Sequence, residues 1–134
     1  MIDHHAALIY TMVLVSAADR EMTDAELQTI GDTVRHLPAF ADYNLQNLTG
    51  TARECAELLN EEDGFEKAID MIVNGLPARL RETAYALSCD VAASDGKVNQ
   101  EELRLLEMLR HRLEVGRLPA AAIERGTRAR YMKL

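Results

Sequence analysis

At 134 residues, 48% of them apolar, the chain is the size of one domain and has enough hydrophobic surface to bury a core. Aromatic residues make up only 4%, proline and glycine are sparse, and Ala, Leu, Glu and Arg dominate, which favours helix over sheet. The net charge of −7 is split: residues 1–109 carry 8 Lys or Arg against 20 Asp or Glu, and residues 110–134 carry 7 against 2. So acidic a body argues against nucleic acid as the main partner, because phosphate binding needs a positive field.

The longest stretch without Asp, Glu, Lys or Arg covers residues 4–18, shorter than the roughly 20 residues that cross a bilayer. No transmembrane segment is expected, and with no basic region or small-residue cleavage site before it, no secretory signal either. The stretch predicts a first helix over about residues 3–19, apolar nearly all round and therefore enclosed by others. A second helix is expected over about 24–37, burying Leu27, Ile30, Val34 and Leu37, and the residue before Pro38 ends it. Phe40, Tyr43, Leu45 and Leu48 anchor the mixed stretch that follows, and a third helix runs to about 62, with Thr51 and Glu54 offering a second possible start.

Asp63 and Glu66 have the spacing of a capping box and open a fourth helix with a stripe of Phe65, Ile69, Ile72, Val73 and Leu76. Pro77 sits where a first-turn proline is tolerated, and a fifth helix reaches about 95. A sixth spans about 100–114 with Gly116 as its C-cap, and Pro119 begins a seventh that ends near 130. Cys55 and Cys89 both fall inside helical apolar patterns, so they read as core thiols of a protein in the reducing cytoplasm. The expectation is an all-α, single-domain bundle of about seven helices. Its basic C-terminal segment, about 117–134, folds onto the acidic body, stands free in solvent, or meets an anionic partner or lipid.

An internal duplication organises the chain, in halves of about 3–37 and 77–115. Val15, Ala17, Asp19, Glu26 and Leu27 return 76 residues later as Val91, Ala93, Asp95, Glu102 and Leu103. Thr23 and Asn99 are N-cap residues with Glu26 and Glu102 three places on, the spacing of a capping box. Met22 with Leu27, and Val98 with Leu103, occupy the positions of a hydrophobic staple. Gly96 takes positive φ at no steric cost, whereas Arg20 holds that place in the first copy. Each unit is thus helix, acidic hinge, helix.

Residues 95–102 also look like the second half of an EF-hand loop. The first and third ligand positions would be Val91 and Ala93, which carry no side-chain oxygen, and the first copy fails in the same way at Val15 and Ala17. A true EF-hand is excluded.

The hinge Ser16-Ala17-Ala18-Asp19 leading to Glu26-Leu27, with its counterpart Ala92-Ala93-Ser94-Asp95 leading to Glu102-Leu103, resembles the tellurite-resistance TerB family and the related N-terminal domain of DjlA-type co-chaperones. The resemblance covers roughly residues 5–115. It implies an all-helical, non-enzymatic module tied to envelope or chemical-stress responses. It also implies binding of a divalent cation, calcium or magnesium, at Asp19, Glu26, Asp95 and Glu102. One hinge supplies two carboxylates where calcium takes six to eight oxygens and magnesium an octahedron that keeps several waters; hinges packed face to face would bring four carboxylates together. The alternative is that Glu26 and Glu102 only cap helices and the hinges only turn corners of a domain that docks a protein partner. His4 and His5 point about 100° apart on a helix and suit one zinc ion poorly, so an exposed N-terminal turn is expected there. No nucleophile, zinc-protease, phosphate-loop or Cys-x-x-Cys motif is present, and no enzyme activity is expected.

Overall fold

A computed structural model describes residues 1–18, 23–96 and 98–134. They form seven α-helices: α1 (His4–Ser16), α2 (Asp24–His36), α3 (Leu48–Leu59), α4 (Gly64–Gly75), α5 (Arg81–Ala93), α6 (Gln100–Arg112) and α7 (Arg117–Arg130). Short 3-10 turns lie at Pro38–Phe40, Leu45–Asn47 and Ala78–Leu80, and the described residues contain no strand. No helix among them is long and apolar enough to cross a membrane.

The bundle is built round α1. Asp3 caps it, accepting the Ala6 amide at 2.9 Å, and α3, α4 and α5 pack about it, so that Leu8, Ile9, Met12, Leu14 and Val15 lose all contact with water. A helix without a charged residue can be covered on every side at no cost in desolvated charge. Its buried Thr11 donates its hydroxyl to the Ala7 carbonyl at 2.7 Å, and on α5 Ser88 does the same to Ala84 at 2.8 Å, so neither hydroxyl is left unsatisfied. α5 lies beside α1 and carries α7 against it.

Several local expectations fail for identifiable reasons. Leu27 is 50% exposed, because the inward stripe of α2 is Glu26, Ile30 and Val34, spaced four apart, and Leu27 stands about 100° round from it. On α4, Asp63 makes no capping bond and adopts φ 58°, while Gly64 presses against the end of α3. The buried stripe there is Ala68, Ile69, Ile72 and Leu76, and Phe65, in the first turn, stays exposed. A 3-10 turn follows Pro77, so α5 starts only at Arg81.

Gly116 does not close α6. Glu114 takes the left-handed conformation (φ 57°), with the Glu114 amide donating to His111 O at 3.1 Å and Val115 to Arg110 O at 3.0 Å. That is a Schellman closure made by a glutamate, with Leu113 and Val115 buried beside it. Gly116 instead precedes α7 as its N-cap, and Pro119 is that helix's third residue, where a missing amide costs nothing.

Candidate functional site

Both hinges end in the same capping geometry. At the head of α2, the Glu26 amide donates to Thr23 Oγ1 at 3.1 Å and the Thr23 amide to Glu26 Oε1 at 3.0 Å. At the head of α6, the Glu102 amide donates to Asn99 Oδ1 at 2.8 Å and the Asn99 amide to Glu102 Oε1 at 3.2 Å. These are the reciprocal boxes the sequence predicts. Replacing Thr23 or Asn99 by Ala is expected to lower stability by about 1 kcal/mol, since each change strips an N-terminal amide of its partner. Urea midpoints equal to the parent's would show that the caps contribute nothing.

The glutamates are sunk into the protein, Glu26 to 1% exposure and Glu102 to 2%. Glu102 shares its helix face with Leu106 and Leu109, as Glu26 does with Ile30 and Val34, so each carboxylate lies in phase with the apolar stripe. The staple residues are displaced outward instead: Leu103 is 49% and Val98 42% exposed. Met22 lies outside the described residues.

In the second hinge α5 stops at Ala93, and the Ser94 hydroxyl donates to Val91 O at 2.8 Å. Gly96 then turns the chain at φ 80°, with its amide donating to Ala93 O at 3.0 Å. Glycine is the residue for that conformation. Asp95 is partly buried at this turn. Asp19 and Arg20, its counterparts in the first hinge, lie outside the described residues. Among the described residues, which hold Glu26, Asp95 and Glu102, no three His, Cys, Asp or Glu side chains gather in a group able to hold a metal ion.

The two histidines at the start of α1 differ. His5 is buried rather than exposed, its ring 5.6 Å from Phe40 and 5.1 Å from Tyr43, with Nε2 3.3 Å from Asp42 Oδ1. Packing against the aromatic anchors of the α2–α3 connection accounts for it.

A cleft of about 820 Å³ opens between α5, α6 and α7 next to the second hinge. Cys89, Ala92 and Ala93 of α5 form one side, Leu103 and Leu106 of α6 another, and Tyr131 closes the end of α7. Sequence periodicity did not point to it, because its walls come from three helices and the outward turn of Leu103 is visible only once the phase of α6 is known. Burial pushes the Cys89 and Cys55 thiols up to about 12, so both stay protonated and unreactive at neutral pH. α7 is fastened to α5 by polar contacts: the Tyr85 hydroxyl donates to Glu124 Oε2 at 2.6 Å, the Thr127 hydroxyl to Asp90 Oδ1 at 3.2 Å, and Arg130 pairs with Asp90. Burial, and then that bond to Glu124, push the Tyr85 phenol well above its ordinary value. Of the basic residues of this segment, Arg130 thus meets an acidic group on the body, Asp90.

Among known proteins, one family model, described as Tellurite resistance protein TerB, matches residues 5–124. No curated protein and no solved structure gives a significant match. The matched span runs from the first turn of α1 through both capped hinges and into α7, some nine-tenths of the chain, and on that ground the chain belongs to the TerB family of tellurite-resistance proteins.

Proposed function

We propose that the chain is a non-enzymatic module of a bacterial stress response of the tellurite-resistance type, working in the cytoplasm. Its acidic hinges take a divalent cation, calcium or magnesium, through Asp19, Glu26, Asp95 and Glu102. The observation that carries this reading is the burial of Glu26 and Glu102 at matching positions of two acidic hinges in a chain of this family. A carboxylate withdrawn from water is attracted more strongly to a nearby dication than a solvated one is.

Calorimetric titration of metal-free protein with Mg²⁺, Ca²⁺, Mn²⁺ and Zn²⁺ tests it. At least one ion is expected to bind, and at a hundred times its Kd to stabilise the fold by about 2.7 kcal/mol. The double change Asp19→Asn with Asp95→Asn should abolish that increment and leave the metal-free protein as stable as before or more so, because it removes mutual repulsion. An increment that survives the double change, or no binding of any of the four ions, rules the hinge site out.

A second reading has its own support. Each hinge glutamate closes a box on its own N-cap amide, which gives it a structural task with no ion involved. On this reading the hinges only turn corners, and the module acts by docking a protein partner on its helical surface.

A further inference from the structure

We propose that the cleft between α5, α6 and α7 is a docking groove for an acidic amphipathic helix of a partner protein. The inference rests on the interaction-domain reading and assigns it a surface and a class of partner. Leu103, which sequence places in a staple, and Met132, in the C-terminal tail, are both left standing in water at the cleft.

The shape favours a helix over a small molecule. Small-molecule sites bury most of their ligand within their walls. Here the apolar lips project outward, with Val98 and Leu103 half exposed and Met132 64% exposed, over a floor that includes Ala92 and Ala93. A molecule resting on that floor leaves the lips wet. An α-helix about 10 Å across covers floor and lips together, laying its apolar stripe at i, i+3 or i+4, and i+7 along the groove.

Charge decides the partner's flanks. Arg110, Arg128 and Lys133 border the cleft against Glu107 and Glu124, three cationic side chains to two anionic ones. The border is therefore net positive on a chain whose first 109 residues hold 12 more acidic than basic residues. An acidic helix is repelled by most of this surface and drawn to the cleft, which gives both orientation and a faster encounter. Arg128 and Lys133 lie beyond residue 124, where the family match ends, so the family does not account for this border.

The test is selection of a displayed library of 16-residue peptides on the full-length protein, followed by affinity measurement on Leu103→Asp and Arg128→Glu. Both positions are exposed, and equal melting curves establish that the variants fold. Leu27→Asp, at the matching half-exposed leucine of α2, is the control. The expected result is enrichment of peptides with an apolar helical stripe flanked by Asp or Glu. Their affinity should fall tenfold or more in both cleft variants, remain unchanged in the control, and weaken with added salt. Enriched peptides that bind the cleft variants as well as the parent overturn the groove while leaving the interaction-domain reading intact. Enrichment of basic or patternless peptides overturns the acidic helix. No enrichment at all sinks both, and laurate binding lost in Leu103→Asp would then make the occupant a small amphiphile.

Discussion

Gly64→Ala is expected to destabilise the protein by about 3 kcal/mol, the upper end of what overpacking commonly costs. A methyl at that position would stand 2.0 Å from the Leu58 carbonyl oxygen, 3.0 Å from the Leu58 carbonyl carbon and 3.1 Å from Leu59 Cα. All three are backbone atoms of the last turn of α3, so no side chain can rotate away to make room. The corner is further fixed by Asp63 at φ 58° and by the Gly64 amide donating to Glu61 O at 3.0 Å. Only a shift of α4 admits the methyl, and α4 holds Ala68, Ile69 and Ile72 in the core beside α1. Gly50 is the control: a Cβ there meets nothing within 4 Å inside α3, so Gly50→Ala should stabilise by up to about 1 kcal/mol through helix propensity. Urea denaturation of the two variants decides the matter. Midpoints moving in the same direction would show that the α3–α4 corner is not as tight as described.

That corner also marks where sequence reasoning stops. An Asp followed three places later by Glu is a capping signature at 63–66 as much as Thr23 with Glu26 and Asn99 with Glu102 are, yet only the last two form boxes. The difference is tertiary: the approach of Gly64 to α3 forces Asp63 into a left-handed conformation from which its side chain cannot cap. α6 gives the same lesson in reverse, since Glu114 supplied the left-handed residue expected of Gly116. Elements that depend on local chemistry or on a long uncharged run were legible. The seven helices, the two hinge caps and the turn at Gly96 are all of that kind.

Legibility at the hinges was partial for a different reason. The staple rule places Leu27 and Leu103 inward, and a helical phase count places Glu26 and Glu102 inward, on faces about 100° apart. The phase count prevails, and the glutamates lie buried. Counting Glu26 with Ile30 and Val34, and Glu102 with Leu106 and Leu109, would have found this from sequence, but charge argues against placing a glutamate on an apolar stripe. The cleft had no such signal, being assembled from residues 85–133 across three helices.

A pair of leucine truncations turns that conflict into a measurement. Leu14→Ala on α1 is expected to cost about 4 kcal/mol, within the usual span for a leucine removed from a core that cannot collapse round the gap. Leu14 is fully buried on a helix that α3, α4 and α5 enclose, so a cavity there has rigid walls on all sides. Leu27→Ala on α2 removes the same atoms from a half-exposed site and should cost no more than about 0.5 kcal/mol, as surface changes do. Domains of this size have only about 5–15 kcal/mol of total stability, so the first variant surrenders a large share of it. Its melting temperature should fall by roughly 15 °C while that of Leu27→Ala barely moves. Comparable losses in the two would place Leu27 in the core after all and restore the staple.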